Sequence, residues 1–122
     1  MASIEGTVKI INLTPHEVTL MRSPNECQTF PSQGIARLVE ERITAEPLEH
    51  EMAIGCPIQT CYIRYGRIEN LPEPQEDVFY IVSALVGPIT AQMGRHDCLS
   101  PDSGKAIREN GAIVGVPGFV RY

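Results

Sequence analysis

Twenty of the 122 residues are proline or glycine, ten of each, and they fall between β-prone segments. That punctuation stops a long helix from forming and favours short strands joined by defined turns. Thr7 to Asn12 is β-prone and mostly apolar, Glu17 to Met21 alternates, and Leu13-Thr14-Pro15-His16 lies between them. Together these predict an N-terminal hairpin. Ser23-Pro24-Asn25-Glu26 is a second turn. Gln28-Thr29-Phe30 and Ile35 to Val39 are further short extended segments, separated by Pro31-Ser32-Gln33-Gly34.

Pro47 to Ala53 predicts one or two helical turns, with Pro47 at the first helical position, Leu48 and Met52 at i and i+4, and Gly55 as the stop. Ile58 to Arg64 alternates as a strand. Tyr65-Gly66 then offers a turn, with Arg67-Ile68-Glu69 returning along it. Leu71-Pro72-Glu73-Pro74-Gln75 is a stiff acidic connector, and Val78-Phe79-Tyr80-Ile81-Val82 reads as a central strand buried on both faces. Ser83 suits an N-cap for a short helix from Ala84 to Met93, with Gly94 as its C′ residue. Pro88 in the second turn of that helix would kink or shorten it. Asn110-Gly111, between Ala106-Ile107-Arg108 and Ala112-Ile113-Val114, is the strongest hairpin signal in the chain. The expectation is a single compact α+β domain over residues 1–122, mainly antiparallel β with one or two short helices. Parallel βαβ winding is not expected, because repeated helices of a dozen or more residues are missing.

The formal charge of −5 argues against binding long nucleic acid, which needs a basic surface. The charge is uneven. Glu40 to Glu51 carries a net −4 and Glu69 to Asp77 another −4, which leaves +3 on the rest of the chain. Eight of the ten bases are arginine, the better planar donor to phosphates and carboxylates.

Catalytic signatures are missing. The chain has no G-x-S-x-G elbow, phosphate-cradling glycine loop or H-E-x-x-H motif. Cys27, Cys56, Cys61 and Cys98 form no C-x-x-C pair, and His16, His50 and His96 are scattered singly, so neither a metal nor a cofactor is expected. The cysteines read as small buried apolar residues of a reducing compartment. No basic leader precedes a long apolar run, and no stretch approaches the ~20 residues of a membrane span, so a cytoplasmic protein without a membrane partner is expected.

Three places suit a ligand. Arg64-Tyr65-Gly66-Arg67 sets two guanidiniums and a ring around a glycine bend, a combination that clamps phosphate and stacks on a base. The alternative is that these arginines pair with the acidic segments. Arg95 and Asp97, after the short helix, suit either a polar ligand or a structural ion pair. Asn12, Thr14 and His16 crowd a turn, where local side-chain bonding explains them as well as a ligand does.

The Asn12-Leu13-Thr14-Pro15-His16 segment, the Pro72…Tyr80-Ile81-Val82-Ser83-Ala84-Leu85-Val86 stretch and the Arg95-x-Asp97…Pro101-Asp102 spacing run over most of the chain. In that order they resemble a family of small phage and prophage proteins, and through it the anti-Thoeris sponges. Those proteins sequester the cyclic ADP-ribose signal of bacterial immunity without cleaving it, and some also hold cyclic oligonucleotides. The resemblance implies a β-rich homo-oligomer with pockets between subunits. It implies a small cyclic nucleotide as partner and no enzymatic activity. The site residues it implies are the polar and arginine positions inside or beside the matching segments: Asn12, Thr14, Arg64, Arg67, Arg95, Asp97 and Arg108. The alternative is a phage structural or host protein-interaction module with no small ligand. A small phosphodiesterase is disfavoured by the missing catalytic motifs.

Overall fold

The computed structural model describes residues 7–48 and 58–122. Strands dominate: β1 (Lys9–Asn12), β2 (Val18–Ser23), β3 (Glu26–Phe30), β4 (Arg37–Thr44), β5 (Cys61–Glu69), β6 (Val78–Ile81), β7 (Cys98–Pro101), β8 (Ile107–Glu109), β9 (Ala112–Gly115) and β10 (Phe119–Arg121). Among the described residues one short helix, α1 (Val86–Gln92), joins β6 to β7, and a single 3-10 turn spans Ser103–Lys105. No helix among the described residues is long and apolar enough to cross a membrane. The chain divides into two compact units, one of Met1–Arg37 with Asn70–Tyr122 and one of Leu38–Glu69.

The first unit is built on a four-stranded sheet in the order β1-β6-β7-β10. In its inner strand β6, Tyr80 and Ile81, with the following Val82, are fully enclosed. Burying an Ile or Val side chain contributes roughly 1.5–3 kcal/mol, so this run anchors the unit, as its unbroken apolar sequence predicts. β1 and β7 both run parallel to β6, while β10 returns antiparallel to β7. β6, α1 and β7 therefore form a compact parallel crossover, contrary to the expectation that short helices exclude one. Seven helical residues with their flanking turns suffice to return the chain to the same end of neighbouring strands.

The N-terminal hairpin does not form. β1 pairs with β6 instead, and β2 pairs antiparallel with β3 across the Pro24-Asn25 turn. The reason lies at Asn12, whose side chain organises the 12–16 segment as a change of direction between sheets. Ile10 and Ile11 are then set opposite Phe79 and Tyr80, beside the most apolar strand in the chain.

Helix α1 begins later than the Ser83 position suggests. The Ser83 hydroxyl still accepts the Val86 N–H at 3.2 Å, and its carbonyl accepts those of Val86 and Gly87. Pro88 consequently falls in the first turn, where its missing N–H has no partner to lose. Gly94 closes the helix at φ +84°. The β8–β9 hairpin forms as its Asn110-Gly111 turn requires, with both residues at positive φ (53° and 83°).

The second unit contains the two-stranded sheet β4–β5. Here Tyr65-Gly66 is not a turn. Without a positive φ at Gly66, β5 continues unbroken from Cys61 to Glu69. Ile58 precedes the strand and forms an antiparallel bridge with Leu48, so Leu48 is bridged rather than helical. The rest of the predicted 47–53 helix, with His50 and Cys56, lies outside the described residues. Of the three described cysteines only Cys98 is buried, while Cys27 and Cys61 are exposed. Cys27 lies in β3, beside the hairpin turn, and Cys61 opens a strand whose residues are almost all exposed, so neither sits over a core.

Candidate functional site

Five of the seven candidate residues belong to the first unit, where they fall in three separate places, and Arg64 and Arg67 belong to the second. Asn12 is a buried structural node. Its Nδ2 donates to the carbonyls of His16 and Phe30 at 2.8 and 2.9 Å. Its Oδ1 accepts the Thr14 N–H at 3.0 Å and the Thr14 hydroxyl at 2.7 Å. An amide with two donors filled and its acceptor doubly used has nothing left for a ligand. Thr14 is occupied by the same turn. Local bonding is thus what this segment does.

Arg95 and Asp97 form a fork at the end of α1. Nε donates to Oδ1 at 3.0 Å and Nη2 to Oδ2 at 2.9 Å, while Nη2 also donates to the Pro72 carbonyl at 2.8 Å. Both side chains are largely buried. Burial pushes the Asp97 carboxyl upward, but the hydrogen bond and charge of Arg95 outweigh it and leave its pKa below the ordinary value. Arg95 is raised in turn, chiefly by that hydrogen bond. Such a closed pair, tied to the 71–75 connector, is a clasp. Beside it, burial raises the pKa of the Cys98 thiol and of the Tyr80 phenol, so both stay neutral at pH 7. Neither is an activated nucleophile. Arg108 donates to the Gly111 carbonyl at 3.3 Å and supports its own hairpin.

Arg64 and Arg67 are exposed, as Arg108 is, and differ from it in bonding carboxylates. Arg64 meets a single oxygen of Glu41, Nη2 at 2.6 Å and Nε at 3.2 Å. Arg67 meets Glu69 at 3.0 Å along its own strand. With β5 unbroken, the period of two puts Arg64 with Gly66 on one face and Tyr65 with Arg67 on the other. The two arginines therefore do not pinch one point as a bend would have allowed. They do border a common hollow of about 430 Å³ with Tyr65, Gly66 and, from β4, Val39, Glu40 and Glu41. Sequence reasoning missed the β4 wall, since no local signal says which segment β5 will pair with.

A larger hollow of about 630 Å³ lies in the first unit between β2 and β9, over Val18, Val114 and Val116, with His16, Glu17 and Ser103 at its polar side. Neither lysine nor arginine lines it, which makes it a poor receptor for an anion. Among the described residues no group of three or more His, Cys, Asp or Glu side chains is placed to hold a metal. No protein family, curated protein or solved structure matches the chain.

Proposed function

We propose that this chain works by binding rather than by catalysis, and that its binding element is the β4–β5 ribbon. The ligand we infer is a small cyclic nucleotide, held without being cleaved, as in phage proteins that sequester an immune signal of their host. The observation that carries this reading is that Arg64, Tyr65 and Arg67 are exposed and border one hollow of nucleotide size. Arginine contacts to phosphate and a ring for a base are the chemistry such a ligand needs, and no nucleophile is required.

The carboxylates beside these arginines do not oppose this strongly. Exposed ion pairs contribute about 0–1 kcal/mol, so a phosphate displaces Glu41 from Arg64, or Glu69 from Arg67, at little cost. The resemblance to small phage and prophage proteins supports the same reading. Titration calorimetry with cyclic ADP-ribose isomers and cyclic di- and trinucleotides checks it. Binding by one of them is expected, with the ligand recovered intact after heat release. A folded sample that binds none of them sinks the proposal.

A second reading, a protein-interaction module without a small ligand, is favoured by the apolar residues on the same ribbon. Ile43, Tyr62, Ile63 and Tyr65 are all exposed there, Tyr62 at 68%. A protein partner recovered with the chain, and no nucleotide effect on melting, selects it.

A further inference from the structure

Among the described residues two glycines lie within strands, Gly66 in β5 and Gly115 in β9. Neighbours require the second. A Cβ on Gly115 would stand 3.1 Å from the Thr19 carbonyl oxygen and 3.2 Å from the Met21 Cβ. Nothing comparable holds Gly66. Its φ lies outside the left-handed region, and a Cβ there would meet nothing nearer than the Val39 carbonyl oxygen at 3.5 Å, an ordinary contact. The fold therefore has room for a side chain at this position. It would gain from one, because glycine inside a strand is less stable than alanine or a β-branched residue.

The space such a side chain would enter is the hollow of about 430 Å³. Arg64 and Arg67 leave β5 on opposite faces, yet both border that hollow. One group reaches both guanidiniums only by lying close against the strand between them. Tyr65 projects on the face of Arg67, so Gly66 is where the backbone between the two arginines is bare. A strand glycine often marks a place where a ligand approaches the backbone closely. Phosphate suits that place, because its several oxygens accept from two guanidiniums at once.

We propose that Gly66 is a specificity-determining position: the phosphate-bearing ligand is seated against the β5 backbone there, between Arg64 and Arg67, and a side chain bars it. This seat presupposes that the ribbon binds a nucleotide, and it adds the position that admits one.

Gly66→Ala and Gly66→Val in the full chain test it. Each is titrated with cyclic ADP-ribose isomers and cyclic di- and trinucleotides, and each is melted without them. Both variants should melt no lower than the parent chain, while binding falls about tenfold or more for alanine and further for valine. A role in folding moves the two readouts together, whereas a ligand seat moves them apart. A variant that melts below the parent, or fails to fold, shows that the fold needs the glycine and overturns the proposal. Binding equal to the parent's also overturns it, since nothing then lies against β5 at Gly66. A parent chain that binds none of these compounds overturns the nucleotide reading, and the seat with it. That result is read from the parent alone, so the two failures are distinguishable.

Discussion

The ring of Tyr122 occupies the space where Gly87 of α1 would carry a side chain. A Cβ on Gly87 would stand 2.1 Å from Cε2 and 2.5 Å from Cζ of that ring. The buried face of α1 is thus completed by a residue 35 positions further on, beyond β10, and no other residue than glycine leaves room for it. Gly87→Ala must expel the ring, with an expected loss of about 1–3 kcal/mol from overpacking. In a Tyr122→Ala background the same substitution should turn neutral or stabilising, because alanine is favoured over glycine within a helix by about 1 kcal/mol. Denaturant melts of the four chains measure this change of sign.

Asn12 should be the costliest polar position in the first unit. Asn12→Ala strips partners from the His16 and Phe30 carbonyls and from the Thr14 amide. Each buried group left unsatisfied costs about 1–3 kcal/mol. Asn12→Asp removes both donors and should be as damaging at neutral pH, with partial recovery in acid, where a protonated carboxyl donates again. Urea melts at pH 7 and in mild acid compare the two variants.

The Arg95–Asp97 clasp predicts an acid limb in stability. A carboxyl whose folded pKa lies below its ordinary value near 3.8 contributes stability that is complete well above that value. It is lost as pH falls toward and through the lower folded pKa. Asp97→Asn should therefore be less stable than the parent chain at pH 7, by about 1–3 kcal/mol for a largely buried group losing its charged partner. The gap should narrow below about pH 4. Equal stability of the two chains at pH 7 would show that the clasp contributes nothing.

Asn110 and Gly111 set the last hairpin. Gly111→Ala forces a Cβ into φ +83° and should cost about 1–2 kcal/mol, whereas Asn110→Gly keeps the required geometry and should be close to neutral. Thermal melts separate the two.

On the ribbon, Arg64→Ala and Arg67→Ala should each weaken cyclic nucleotide binding about tenfold or more, the equivalent of about 1.4 kcal/mol. Neither should change stability by more than about 1 kcal/mol, since both ion pairs are exposed. Calorimetry alongside melting distinguishes a ligand contact from a structural one.

What the sequence determined by itself is local. Asn110-Gly111 dictates a turn at positive φ, the Val78–Val82 run dictates a buried strand, Ser83 and Gly94 bracket α1, and Pro24-Asn25 reverses the chain between β2 and β3. Each depends on the conformational preferences or the apolar pattern of a few neighbouring residues. Tertiary structure decided the partners. Lys9–Asn12 lies against Val78–Ile81 rather than against its neighbour β2, since a strand goes where its apolar faces are best covered, and neighbouring residues do not record that competition. It also decided the site residues: Asn12 and Arg95 are consumed by the fold because buried polar groups must find partners inside it. Arg64 and Arg67, exposed on β5, need no such partners and pair only with carboxylates at the surface.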